Sequence, residues 1–122
     1  MQIIGDELIP YKPLVYITHE SEICQNCLYR YDRDLIKISK QKGHEFSLIC
    51  SDITQAIIAN AVGAKYIICE QKDALAFSEL ANFYMFDAKI ACVIDDESQL
   101  SKLANTKVDT AIYKKGIENG AF

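Results

Sequence analysis

Four apolar runs, EFSLICS (45–51), KYIICE (65–70), KIACVID (89–95) and TAIYK (110–114), recur about every twenty residues and govern what this chain can become. A strand with one wet face alternates apolar and polar residues. These runs are continuous, which predicts strands covered on both faces in a parallel sheet. Two weaker segments upstream, PLVYITH (13–19) and CLYRYD (27–32), bring the candidate strands to six.

Helical periodicity fills the intervals. Ile53, Ala56, Ile57, Asn60 and Ala61 recur at steps of three and four, and Gly63 closes that helix before the next strand. Gly43 does the same after Ile36 and Ile38. Later helices are expected over 72–86 and 97–105. Residues 21–42 admit two readings. Ile23, Cys24, Cys27, Leu28, Tyr31, Leu35 and Ile38 fit one long amphipathic helix. The preferred reading is a break, with Cys27, Tyr29 and Tyr31 in a short strand and Asp32 capping a helix from Arg33 to Gln41.

Alternating strands and helices imply right-handed crossovers and an α/β fold. With 122 residues there is material for one core. The expected architecture is a single-domain three-layer sandwich with a mostly parallel five- or six-stranded sheet, Rossmann-like or flavodoxin-like. Residues 1–12 would form an N-terminal arm and 115–122 a C-terminal tail. The repeat is also similar to that of TIM barrels, but the chain is about half their usual length, so an open, doubly wound sheet is expected.

The junction Ala59-Asn60-Ala61-Val62-Gly63-Ala64-Lys65-Tyr66, together with FYMFDAKI (83–90), resembles a family of small bacterial α/β proteins to which no activity is attached. The likeness runs loosely from Ile9 to Tyr113. It implies an α/β fold and transfers no catalytic residue.

The formal net charge is −4, and the basic residues are scattered, Lys37, Lys40 and Lys42 being the nearest to a patch. Neither nucleic acid nor a membrane surface is an expected partner. No apolar run approaches the roughly 18 residues of a membrane span, and the start MQIIGDELIP lacks the pattern of a signal peptide. Five cysteines do not form the even framework of a secreted scaffold, which makes the cytoplasm the expected compartment.

The stretch HESEICQNC (19–27) offers His19, Cys24 and Cys27 as three metal ligands. A structural zinc site needs four, with His44 or Cys50 the available completions. The simpler reading places Cys24 and Cys27 in the core as small hydrophobes. A redox pair is a third reading, disfavoured because the first cysteine does not open a helix, as the thioredoxin-like arrangement requires. Cys50, Cys69 and Cys92 lie inside apolar strands and read as core.

In parallel sheets the functional crevice lies beyond the carboxyl ends of the strands. Those positions hold His19 and Glu20, Asp32, Ser51 and Asp52, Glu70, Asp95 to Glu97, and Lys114 with Lys115. The candidates are Asp52 and Asp95 as cation ligands or base, His19 as proton shuttle and Lys114 near a phosphate. Helix capping accounts for the same carboxylates, Asp52 with Gln55 and Asp96 with Gln99 both matching a capping box. The pair Asp95-Asp96 with Lys114 invites comparison with receiver domains, but the first strand ends in Thr18-His19-Glu20 where that pattern needs acidic residues. Phosphate-loop, nucleophile-elbow and zinc-protease motifs are absent, and no cofactor is implied.

The helix over 72–86 carries more apolar residues than one buried stripe can use. Phe83, Tyr84, Met85 and Phe86 must point several ways, which leaves two readings, a homodimer through them or a helix buried between the sheet and the C-terminal tail. The chain therefore reads as a self-associating binding or interaction module more than a self-sufficient enzyme. The alternatives are a small-molecule-binding protein or enzyme with its site at the strand ends, and a zinc-supported domain built on Cys24 and Cys27.

Overall fold

The computed structural model describes residues 1–120. All six expected strands form, as β2 (Leu14–Tyr16), β3 (Cys27–Arg30), β4 (Phe46–Ile49), β5 (Tyr66–Ile68), β6 (Lys89–Ile94) and β7 (Thr110–Tyr113). Two more come from the segments expected to be arm and tail: β1 (Gln2–Ile4) and β8 (Ile117–Glu118). The sheet therefore has eight strands rather than five or six. Every pairing is parallel, in the order β1-β7-β6-β5-β4-β3-β2-β8. The last two residues of the expected tail lie outside the described residues.

The helices are α1 (Arg33–Lys42), α2 (Ile53–Ala61), α3 (Ala74–Phe83) and α4 (Leu100–Ala104), with 3-10 turns at 20–22, 71–73, 97–99 and 114–116. The break expected in 21–42 is present. Asp32 accepts hydrogen bonds from the amides of Asp34 (2.9 Å) and Leu35 (3.2 Å), and Gly43 ends α1 at φ 66°. Gly63 follows α2 at φ 89°. The inward stripe of α2 differs from expectation: Ala56 and Ala59 are fully buried, while Ile53 and Ile57 stay substantially exposed. Two alanines let the helix lie close on the strands, and that close approach turns the isoleucines to its margins.

The three-layer expectation fails on the second face. Leu35, Ile36, Ala56, Ala59, Ala74, Phe77, Ala81 and Leu103, the buried apolar helix residues, all pack with one set of strand side chains that includes Tyr29, Leu48, Ile67, Ile90 and Cys92. The opposite face is an apolar cluster of strand residues alone. Its members are Ile4, Leu14, Leu28, Tyr66, Ile68, Ala91, Ile112 and Ile117, joined by Tyr16, Ile49 and Val93. Each of the eight strands contributes to it. With no helix over this face, the sheet must cover itself by curling.

Chain connectivity requires the same curl. In an open sheet β7 and β8 would stand six strand spacings apart, ~29 Å at ~4.8 Å each. Four residue steps join Tyr113 to Ile117, a reach of at most ~14 Å. The two edges accordingly meet. A Cβ on Gly5, just after β1, would lie 3.1 Å from the Gly116 nitrogen, and one on Gly116 would lie 3.1 Å from the Gly5 Cα. The arrangement departs from an eightfold βα barrel at this seam, where β8 lies beside β2 and β1 beside β7. Among the described residues four α-helices accompany the eight strands.

Candidate functional site

Alternation along the strands fixes what lies at the carboxyl end of the curl. Cys50, Cys69, Ile94 and Tyr113 belong to the helix-covered layer, and of the residues that follow them, Ser51 and Glu70 line a pocket at the mouth while Asp95 and Lys114 do not. Arg30, two residues after the inward Leu28, joins Ser51 and Glu70. Arg30, Ser51 and Glu70 line a pocket of about 340 Å³ whose apolar floor includes Ile49, Ile68 and Val93. Those three side chains are the top of the inner cluster.

The acidic and basic candidates are mostly committed to local structure. Asp52 accepts from the Gln55 amide at 2.8 Å, while the Gln55 side chain accepts from the Ser51 amide at 2.8 Å. Asp96 accepts from the Ser98 amide (2.9 Å) and hydroxyl (2.5 Å), while the Gln99 side chain accepts from the Asp95 amide at 2.6 Å. The Ser98 hydroxyl and amide hold the Asp96 carboxyl below its usual range. His19 repeats the device: its Nδ1 accepts from the Ser21 amide at 3.1 Å, and Glu22 accepts from the amides of Thr18 and His19. In all three turns the residue three beyond the cap reaches back to the amide preceding it. Capping at Asp52 and Asp96 was expected; the shift of each glutamine by one residue was not.

Of the four candidates the structure joins only Asp95 and Lys114, whose charged atoms are 2.8 Å apart with both side chains about half exposed. Solvent screening leaves such a pair little net stability. Asp52 sits two strands from Asp95, and His19 two strands further still. They do not converge as acid, base and shuttle. Arg30 escaped the sequence reading, though CLYRYD contained its cue: a charge in step with the inward Leu28. No described residue forms an ion pair or hydrogen bond with its guanidinium.

Cys24 and Cys27 are joined as a disulfide, so neither the apolar-thiol reading nor the metal reading describes them. The bridge lies between the 20–22 turn and the first residue of β3, with no helix opening at either sulfur. Among the described residues no three His, Cys, Asp or Glu side chains gather as a metal site, and His19, Cys24 and Cys27 form no such group. The other cysteines are free and buried, as expected of core residues. Burial pushes the Cys50 thiol up to about 12. The Cys92 thiol 3.9 Å away, together with burial, pushes Cys69 up as well.

No family model, curated protein or solved structure matches this chain. No described helix is long and apolar enough to cross a membrane.

At the far end of α3, Phe83, Tyr84 and Met85 are 78%, 65% and 85% exposed. Phe86 turns back against the core. Met85 at φ 53° ends the helix and separates the outward residues from the inward one.

Proposed function

We propose that this protein is a binding domain for a small anionic molecule, held at the carboxyl mouth of the curled sheet with Arg30 as its anchor. The unpaired Arg30 guanidinium over an apolar floor carries this reading. A planar guanidinium pairs with carboxylate or phosphate oxygens through two parallel hydrogen bonds, more strongly where water is partly excluded. Ser51, whose hydroxyl donates to the Gln55 side chain at 3.2 Å, and Glu70, 3.4 Å from the exposed Lys72 ammonium, leave Arg30 as the one uncommitted charged group that this reading uses. Binding is favoured over catalysis because His19 and Asp52 are occupied as caps and Asp95 by Lys114.

The test is thermal denaturation with inorganic phosphate, phosphate monoesters and short dicarboxylates. A selective ligand at 100 times its Kd raises stability by about 2.7 kcal/mol. Arg30→Ala should abolish that rise, and Arg30→Lys should keep part of it. An equal rise in Arg30→Ala refutes the assignment.

A second reading, self-association, rests on the exposure of Phe83, Tyr84 and Met85. Three adjacent protruding apolar side chains are unusual on a monomer surface. Light scattering should report a dimer that Phe83→Ser with Met85→Ser dissociates. A monomer at high micromolar concentration refutes it.

A further inference from the structure

A second pocket, of about 420 Å³, lies at the other end of the molecule, between the C-terminal half of α3 and the turns that lead into β6 and β7. Ser78 lines it from the helix. That side chain is nine-tenths buried, and its hydroxyl has no hydrogen-bond partner. A buried helical serine ordinarily returns its hydroxyl to the carbonyl four residues back. Ser78 leaves its group unmet, the situation in which a bound molecule supplies the missing partner.

The charged groups around the same pocket form no ion pairs among the described residues. They are Lys107, Glu79 and Asp109, which all line it. Asp109 lends one oxygen to the Ile90 amide at 3.1 Å. Lys107 is held at φ 62° and Met85 at φ 53°, two left-handed positions on one pocket wall. Ala81, Met85, Phe86 and Ala88 add apolar surface to the lining, and Asn82 adds an amide. A pocket with one cation, two carboxylates, a hydroxyl and an apolar wall matches a molecule that carries both charges and an apolar arm.

We infer that this pocket binds a free α-amino acid with an apolar side chain. Lys107 takes the ligand's carboxylate, Glu79 and Asp109 take its ammonium group, Ser78 completes a hydrogen bond, and Met85 and Phe86 cover the side chain. The volume is within the range of small-molecule sites. The site is independent of the carboxyl mouth, since the two pockets share no residue.

Titration of the isotope-labelled full chain with L-leucine, followed by amide NMR, tests this. The expected result is a saturable shift confined to residues near 78–88 and 107–109. N-acetyl-leucine lacks the ammonium group and leucinamide lacks the carboxylate, so each should bind about tenfold more weakly. Lys107→Asn removes the cation while tolerating the left-handed backbone, and should weaken leucine about tenfold at unchanged fold. Ser78→Ala should weaken it less. No saturation at concentrations on the order of 10 mM overturns the proposal, as does equal binding by Lys107→Asn. Shifts centred on Arg30 and Ser51 also overturn it, by moving the ligand to the mouth.

Discussion

Replacing Gly5 by alanine should destabilise this protein far more than replacing Gly43, although both glycines have positive φ. Gly43 sits at φ 66° with nothing within 4 Å of an added Cβ. Its substitution costs only the left-handed backbone term, about 1–2 kcal/mol. Gly5 is at φ 106°, and its Cβ would stand 2.9 Å from the Tyr113 Cβ, 3.1 Å from the Gly116 nitrogen and 3.2 Å from the Gly116 Cα. Carbon contacts are comfortable at about 3.5–4.0 Å, so the seam must open by about half an ångström or more. Overpacking of this kind costs about 1–3 kcal/mol on top of a backbone term of similar size. The sum is about 2–6 kcal/mol, less about 0.4–1 kcal/mol from the stiffer unfolded chain. Gly116→Ala separates the two contributions, since its Cβ meets the Gly5 backbone and the Ile4 carbonyl without a positive φ at residue 116. Urea denaturation followed by far-UV circular dichroism gives the midpoints. At about 2 kcal/mol per molar urea, the Gly5→Ala midpoint should fall about 0.5–3 M below that of the unsubstituted chain. A Gly5→Ala midpoint equal to that of Gly43→Ala, with Gly116→Ala unchanged, would refute the meeting of the sheet edges.

Cys24→Ser with Cys27→Ser should cost about 2 kcal/mol, because a loop this short releases little chain entropy when opened. Alkylation of the native protein should label no thiol before reduction and only Cys24 and Cys27 after it, with mass spectrometry locating the adducts. Asp52→Ala should lose about 1 kcal/mol by removing the cap of α2, whereas Asp52→Asn should lose almost none. Above pH 9 the unfolded chain ionises Cys50 while the folded chain keeps it protonated until about 12. Stability contributed by that thiol is therefore intact below pH 9 and lost as the pH rises toward 12, by about 1.4 kcal/mol per pH unit. Denaturation midpoints at pH 8 and 10.5, compared with Cys50→Ala, check the sign.

Much of this architecture could be read from the chain, and the failures have physical causes. Strands β4 to β7 declared themselves as continuous apolar runs, whereas β2 and β3 carried a weaker signal. QII and IE, three and two residues long, are too short to show any period, so β1 and β8 passed as tails. Curl was hidden for a related reason. A strand between helices and a strand between helices and a self-covered interior carry the same apolar run, and pattern alone does not say what lies on the second face. The length of the link from Tyr113 to Ile117 decides it, but only once the strand order is known. At the site, Asp95 and Lys114 were visible as strand-end charges. Arg30 was obscured because it lies inside a strand, where alternation rather than position marks it. The Cys24–Cys27 bridge is the opposite case: the Cys-x-x-Cys spacing is conspicuous in the chain, but spacing alone is compatible with packing, metal binding and a disulfide.

The seam also sets an order of events for folding. Strands β3 to β6 pair with near neighbours in the chain through α1, α2 and α3, so they can assemble from local contacts. Gln2 against Thr110 and Leu14 against Ile117 unite residues far apart in the sequence. These pairings carry the largest loop-closure cost and gain nothing until the rest is in place. Closure at Gly5 and Gly116 should therefore come late, after a stage in which the inner apolar face of the sheet is open to water. Until β1 and β8 pair, that apolar face is open to other chains, so exposure to aggregation is greatest just before the ring is complete.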